Sequence, residues 1–313
     1  RAAPGAPRPA GPRPSQAPMA PAEAEAGGAP EGEGGDVVET AIVESKPASV
    51  EEFLALCKEQ SAKRSFDEAA ASAQEALALA KQEGDADLQA LAMCTLAHMQ
   101  SRSGETALAL ETAKEMRVIC HRAKSVTGEV QALVEIARAH LAANEARPGF
   151  RAAGAAMKLC SKGVEPDVAV TAYVAVAQGA LQLLALMSGA TLRSSQTAKE
   201  MDNLAAKAFE AAEASSKLMD EVEDLNLVAL ILHWRARVLL IFRGKDEEAL
   251  ESAAQARFLC GKIGDRHLEG ETFLVLAQIY HKAGAEWATN AAHDALEIFT
   301  ELDDSAAKDR TLE

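Results

Sequence analysis

The alternation of apolar and polar residues near the end of the chain predicts two consecutive helices. The first, 268–282, has apolar residues at helical spacing: Phe273, Leu276, Ala277 and Tyr280. Ala283 and Gly284 interrupt the pattern. The second helix, 286–302, places three alanines on one face: Ala288, Ala292 and Ala295. Small residues on both helices allow the pair to pack closely.

One small residue of the first helix recurs along the chain, and we refer to it as the ruler position. It recurs every 40 residues in the first four units and continues after one insertion, at Cys57, Ala97, Ala137, Ala177, Ala236 and Ala277. A second small residue follows twelve positions later in three units, at Ala69, Ala109 and Gly149. A polar residue, usually one suited to cap a helix, lies twelve positions before the last five ruler positions, at Asp85, Ser125, Glu165, Asp224 and Asp265. This phase predicts an array of six helical hairpins over 49–304.

These residues resemble the tetratricopeptide repeat. The unit at 273–295 keeps the family's order of an aromatic residue, Leu, a small residue and Tyr, followed by small residues on the second helix. Two features depart from the family: the period is near 40 instead of 34, and the Tyr position holds Gln60, Gln100, His140, Ala180, Leu239 and Tyr280. The resemblance implies an all-α, right-handed solenoid of about six antiparallel hairpins, whose first helices line a concave inner surface.

The fourth unit contains an insertion of about 19 residues, at 183–204. Ser188 and Gly189, together with the polar run 193–197, predict a loop between two lengthened helices. Insertions in repeat arrays often serve binding, so this one is either a binding element or a plain spacer.

Both ends of the chain differ from the repeat region. Residues 1–21 are rich in Ala, Pro, Gly and Arg without any acidic residue, and 22–35 are rich in Ala, Gly and Glu. Such compositions cannot bury enough apolar surface to fold, so we expect a disordered tail over 1–48. The start is interpreted as a linker, or alternatively as the remnant of an organellar targeting segment. A second tail is expected over 305–313.

Composition favours helices and argues against nucleic-acid binding. Hydrophobic residues make up 48% of the chain but aromatic residues only 4%, so much of the apolar content is alanine, the best helix former. The net charge is −15, which repels nucleic acid. Five cysteines without a C-x-x-C motif indicate neither a disulfide framework nor a zinc site. Cys94, expected to face the inner surface, is the one candidate reactive thiol.

The stretch 168–192 contains no charged residue and is long enough to cross a membrane. We interpret it as a buried helix pair, because Ala177 keeps the repeat phase and Gln178 and Gln182 would lack partners in lipid. The sequence therefore predicts no membrane span.

No motif indicates catalysis or a cofactor. His98, His140, His281 and His293 each lie alone on their predicted helices, without a second histidine at metal-binding spacing. There is no phosphate-binding loop or nucleophile elbow in the sequence. We therefore expect no catalytic residue, no metal and no cofactor.

The candidate binding residues lie on the first helices, at one, four and five positions past the ruler. These eighteen positions contain no Asp or Glu, although the chain has 47 acidic residues. The prediction is a polar-to-basic groove formed by Lys58, His98, Arg102, Arg138, Gln178, Arg237, Gln278, His281 and Lys282. Lys58, Arg138 and Arg237 are expected to form one ladder outside the helix–helix contacts. Alternatively, these long side chains simply cover the helix surface.

The sequence thus predicts a non-enzymatic protein–protein interaction scaffold. The expected partner is a protein or peptide, either acidic or with a free C-terminal carboxylate that basic residues would bind. Two alternatives are a structural subunit of a larger assembly, and a helical ligand-binding protein or enzyme that uses 183–204 as a lid. The preferred location is intracellular, in the cytoplasm, or an organelle if the N-terminus is a targeting remnant.

Overall fold

The computed structural model describes residues 47–189, 195–242, 244–284 and 286–312, and their regular structure is helical. The predicted tail therefore lies almost entirely outside the described residues. The helices are α1 Val50–Ala62, α2 Phe66–Glu83, α3 Ala86–Ser103, α4 Thr106–Ala123, α5 Val126–Ala142, α6 Ala146–Cys160, α7 Pro166–Ser188, α8 Ser195–Lys217, α9 Leu225–Leu240, α10 Asp246–Ile263, α11 Arg266–Lys282, α12 Trp287–Glu301 and α13 Ser305–Leu312. A 3-10 turn, Met219–Glu221, follows α8.

The polar residues twelve positions before the ruler begin the first helices, as predicted. Asp85 accepts hydrogen bonds from the backbone N–H groups of Asp87 and Leu88, and Asp265 accepts one from Leu268. Ser125 and Asp224 cap α5 and α9 in the same way. These bonds satisfy amide groups that have no partner inside the helix, so they fix where these four helices start. Glu165 begins α7 without a side-chain capping bond, and Pro166 is the first residue of that helix.

The helices form six antiparallel hairpins, α1–α2 through α11–α12, each packed on the next. The first helices of consecutive hairpins also contact one another directly, from α1 and α3 through to α9 and α11. They therefore approach closely enough to form a continuous wall, which we call the inner surface. The all-α array of stacked hairpins that the sequence predicted is confirmed.

Ruler residues lie where neighbouring helices come closest. Cys57, Ala97, Ala137, Ala177 and Ala236 are buried, whereas Ala277 in the last hairpin is only half-buried. Gly149, twelve positions after Ala137, has no room for a side chain: a Cβ there would lie 2.8 Å from the Leu141 side chain and 3.1 Å from the Ala137 carbonyl oxygen. The small residues that set the sequence period are thus the contact points of the hairpins.

At the position where the repeat family has Tyr, two units have Gln, and each Gln joins the two helices of its hairpin. The Gln60 side-chain oxygen accepts a hydrogen bond from Ser72 at 2.7 Å, and Gln100 accepts one from Thr112 at 3.0 Å. Both pairs span twelve residues, the same step that separates the small residues. A hydrogen bond therefore occupies the position of the family's aromatic residue in these two units.

The insertion lengthens the fourth hairpin. Helices α7 and α8 each contain 23 residues, against 15 in the neighbouring α6. Ser188 and Ser195–Thr197 are helical, so the connection is shorter than the sequence predicted. Part of the predicted loop, 190–194, lies outside the described residues.

Helix α7 is long and apolar enough to cross a membrane by length and composition. Most of its apolar stretch is buried, and it packs against α5, α6, α8 and α9. This packing agrees with its interpretation as a core helix of the array.

The residues expected as a C-terminal tail form helix α13 instead. Ala307 is fully buried against α12, next to Ala295 and Phe299. Arg310 extends back to α11, where its guanidinium donates a 2.6 Å hydrogen bond to Glu271. The short helix therefore covers the face of the sixth hairpin that is turned away from the fifth.

The array also curls far enough for its first hairpin to meet its last. Arg64, in the turn between α1 and α2, donates a 3.1 Å hydrogen bond to the Asp304 carboxylate before α13. His267 at the start of α11 lies 3.3 Å from the same carboxylate. The contact of Arg64 with Asp304 joins positions 240 residues apart, so the inner surface belongs to a strongly curved array.

Candidate functional site: the inner surface

A buried ion cluster joins α3 and α5 on the inner surface. Arg138 and His98, both predicted site residues, contact Glu135, whose side chain is only 3% exposed, and Arg138 Nη1 lies 3.4 Å from His98 Nδ1. Arg138 donates a 2.5 Å hydrogen bond to Glu135 Oε1, and His98 Nδ1 lies 3.6 Å from Glu135 Oε2. The positive charge of Arg138 is therefore directly paired with a carboxylate.

The protonation of Glu135 reflects its burial and its two neighbours. Burial is the largest influence and raises the pKa of Glu135, but Arg138 and His98 together outweigh it and hold the pKa below its usual value. Glu135 therefore stays ionised at neutral pH and needs Arg138 as its counter-ion. Arg138 therefore has a structural role as the counter-ion of Glu135 within α5.

Arg237 is similarly enclosed. Its guanidinium lies 4.7 Å from the centre of the Trp234 ring, a cation–π contact. Burial lowers its pKa, whereas the nearby Glu271 raises it. Glu271 is itself ion-paired with Arg310 of α13, so the charge of Arg237 is partly compensated by a carboxylate of α11 that it shares with Arg310.

Arg102 lies near the junction of the first and last hairpins. Its guanidinium is 4.6 Å from the centre of the Phe66 ring, and the charges of Arg64, Asp265 and Asp304 all act on it. Desolvation, the largest influence, and then Arg64 lower its pKa, although an arginine remains protonated at neutral pH. Within the described residues, no carboxylate is in ion-pair contact with Arg102. It is the basic side chain of the junction that lacks a direct counter-ion.

Lys282 joins neighbouring hairpins. Its ammonium group donates to the Leu240 carbonyl oxygen at 3.1 Å and lies 2.6 Å from the Asp246 carboxylate. Gln182, at the same repeat position, donates to the Leu141 carbonyl oxygen. Residues five positions past the ruler thus bind the end of the first helix of the preceding hairpin. The ammonium group of Lys282 is engaged by these contacts and is not available to a partner.

Four predicted site residues remain without such contacts. Lys58, Gln278 and His281 are exposed and Gln178 is half-buried. None makes a hydrogen bond or ion pair within the part of the chain that the structure describes. The geometry therefore separates the predicted set into residues engaged by the protein and residues available on its surface. Lys58, Arg102, Gln178, Gln278 and His281 form the available group.

Two acidic residues on the inner helices were missed by sequence reasoning. Glu135 lies two positions before its ruler residue and Glu271 six positions before. Both lie outside the eighteen acid-free positions. Glu135 neutralises Arg138 on its own helix, and Glu271 acts on Arg237 from the neighbouring first helix. The strip is free of acidic residues, but two carboxylates next to it, Glu135 and Glu271, partly compensate its basic charges.

Cys94 does not have the properties of a reactive thiol. Its sulfur lies 4.0 Å from Glu135 Oε1, and burial, followed by the charge of Glu135, raises its pKa strongly. The thiol is therefore protonated at neutral pH, whereas the thiolate is the nucleophile. Burial also raises the pKa of the cysteine at the first ruler position, Cys57, to about 11.

One set of potential metal ligands occurs in the described residues. Ligand atoms of His293, Asp294 and Glu297 lie within 4.8 Å of one another on α12. All three side chains are exposed, and a single helix supplies them, so no second element fixes their geometry. This is the arrangement of a solvated helix face.

The class of protein follows from this architecture: the chain has the fold of tetratricopeptide-like helical repeat arrays. Its structure resembles the Rap protein solved with Competence and Sporulation Factor, with a TM-score of 0.58 and 13% identity, over 86% of this chain and 75% of that one. It also resembles a signal transduction ATPase of the STAND group with a tetratricopeptide repeat sensor, from Pyrococcus horikoshii. There the TM-score is 0.50 and the identity 14%, over 84% of this chain and 38% of that one.

No protein-family model and no curated protein matches the sequence. At these identities, the structural likeness establishes the fold and leaves function to be argued from the site.

Proposed function

We propose that this protein is a non-enzymatic interaction scaffold that binds a peptide, or an extended segment of a protein, along its inner surface. The observation that carries the proposal is the continuous wall of first helices with available polar and basic side chains on it. An extended ligand on this surface would contact several hairpins at once. A concave surface of this kind offers such a ligand more contact area than a flat surface does. The Rap protein, which has a similar fold, was solved in complex with Competence and Sporulation Factor.

The chemistry of the partner follows from the cations that remain available. Among the predicted site cations, Arg138 is paired with Glu135, Lys282 is paired with Asp246, and Arg237 lies half-buried against Trp234. Within the described residues, Lys58 and Arg102 are the exposed cations of this set that have no ion pair. A carboxylate is the matching group, since a guanidinium can bind it with two parallel hydrogen bonds. We therefore propose a peptide with acidic side chains or a free C-terminal carboxylate.

The ligand for the test is a peptide selected for binding to this protein from a random library with free C-termini. We expect this peptide to bind more weakly when the charges of Lys58 and Arg102 are reversed. Lys58→Glu with Arg102→Glu should weaken binding about tenfold or more, because each exposed pair contributes roughly 0.2–1 kcal/mol and reversal adds repulsion. Titration calorimetry at two salt concentrations measures this, and wild-type affinity should fall with salt. Amidation of the peptide C-terminus separates terminal from side-chain carboxylates.

The matched control reverses Lys81 and Lys114, which are exposed on the second helices α2 and α4. This pair causes the same change of net charge away from the inner surface. Equal weakening by both pairs would mean that total charge governs binding, and the inner-surface assignment would then be dropped. Circular dichroism melts confirm that each variant is folded.

A further inference from the structure

A cavity of about 320 Å³ lies beside the inserted part of the fourth hairpin. Helix α6 forms one side of it, and the extended parts of α7 and α8 form the other. Its apolar floor consists of Phe150, Leu183 and Leu204. Small-molecule sites typically start near this size and combine an apolar lining with a few polar groups.

The cavity exists because neighbouring hairpins differ in length. Helix α6 has 15 residues and α8 has 23, so the longer hairpin extends past its neighbour. Leu183 and Leu204 lie in the extension and pack together with Ala146 at the start of α6. Helix α6 is too short to cover the rest of the extended parts of α7 and α8, and a space remains beside them. The insertion therefore creates the cavity.

The rim of the cavity is positively charged. Arg147, Arg151 and Lys207 line it together with one acidic residue, Glu200. Arg147 lies 3.3 Å from Glu200 and is neutralised by it. The ammonium group of Lys207 lies 5.6 Å from the centre of the Phe150 ring. Among the described residues, neither Lys207 nor Arg151 has a carboxylate within ion-pair distance, so two uncompensated cations stand above an apolar floor.

We infer that this cavity binds a small amphipathic carboxylate. The hydrocarbon part would lie on Phe150, Leu183 and Leu204, where it buries apolar surface. The carboxylate would contact Arg151 and Lys207 in charge-assisted hydrogen bonds. A cationic ligand would meet like charges on the rim, and a highly polar anion would gain nothing from the floor. This site is separate from the inner surface and does not depend on the function proposed for it.

The test uses decanoate as the probe and the full chain as the protein. Titration calorimetry should show saturable binding at one site per chain. Arg151→Gln with Lys207→Gln should weaken that binding at least tenfold, since both charged partners of the carboxylate are removed. Both side chains are exposed, so the variant should fold, and a melt checks this. The matched control is Lys158→Gln with Lys162→Gln, which removes two exposed charges outside the cavity lining and should leave binding unchanged.

Two further probes test the same inference on the wild-type chain. Hexanoate, with its shorter tail, should bind more weakly, and decyltrimethylammonium should not bind at the site. The inference is overturned if decanoate shows no saturation by about 1 mM. It is equally overturned if the two charge variants bind decanoate alike, or if the ammonium compound binds as well as decanoate. Absence of decanoate binding would not affect the inner-surface proposal.

Discussion

Replacing Ala137 with aspartate is expected to unfold the third hairpin and loosen both of its neighbours. Ala137 is fully buried, in a cluster with Ala153, Ala175 and Val176. The variant puts a charge where no water or counter-ion reaches it, which should cost at least about 4 kcal/mol of unfolding free energy. Because hairpins stabilise one another only through nearest neighbours, the loss should spread from this unit. Urea denaturation followed by circular dichroism measures it.

The control for this variant is Ala71→Asp, an exposed alanine within helix α2. It introduces the same residue into a helix without burying the charge, and its effect should stay below about 1 kcal/mol. Ala277→Asp, at the half-buried ruler position of the last hairpin, should fall between the two. If Ala137→Asp melts like the wild type, the repeat alignment is wrong.

Arg138→Ala is expected to destabilise the fold by about 3–5 kcal/mol, because it leaves the buried Glu135 carboxylate without its counter-ion. The double variant Glu135→Gln with Arg138→Ala should recover most of this loss, since no charge then remains buried. Denaturation of the single and double variants provides the measurement. A double variant no more stable than Arg138→Ala would show that the arginine acts through packing alone.

The same pair predicts a pH dependence. In the wild type, the Glu135 pKa lies below its usual value, so the pair stabilises the fold above the unfolded pKa, near 4.3, and this contribution is lost as pH falls through the folded pKa. In Arg138→Ala, His98 alone opposes the effect of burial, so the Glu135 pKa should be higher than in the wild type. Protonation then relieves the buried charge, and the deficit of the variant relative to the wild type should shrink between about pH 7 and pH 5. A deficit that grows over that interval would contradict the assignment.

The fold could be predicted from the sequence because its determinants are local. Asp85 and Asp265 cap helices through bonds to residues two or three positions away. The small residues at Ala137 and Gly149 mark a close approach within one hairpin. Each signal lies within a few turns of helix, so its spacing is visible without the structure.

The site was predicted less completely because its chemistry depends on pairs of hairpins. Spacing places Arg138 on the inner side but does not show that Glu135 is buried against it. Lys282 and Asp246 are brought together by the packing of α11 on α10. The contact of Arg64 with Asp304 depends on curvature accumulated over six units, and small rotations between repeats set that curvature.

The three residues predicted to form one basic ladder, Lys58, Arg138 and Arg237, differ in their surroundings. Reversal of Lys58, Arg138 and Arg237 together would combine a binding effect with a stability effect, because Arg138 and Arg237 are held inside the structure. Lys207, on the second helix α8, is unsuitable as a control position because it lines the cavity of the fourth hairpin. Lys58 with Arg102, against Lys81 with Lys114, separates the two effects.

The central claim, that a peptide binds along the inner surface, is tested most directly by photo-crosslinking. A benzoylphenylalanine residue is placed singly at Lys58 or Gln278, both exposed on first helices, or at Lys81 or Lys114 on second helices. Each folded protein is irradiated with the selected peptide, and crosslinked product is quantified by mass spectrometry. Binding on the inner surface predicts crosslinks from the first pair that excess unlabelled peptide abolishes, and little from the second pair. Crosslinks from Lys81 or Lys114 that equal or exceed those from Lys58 and Gln278 would contradict it.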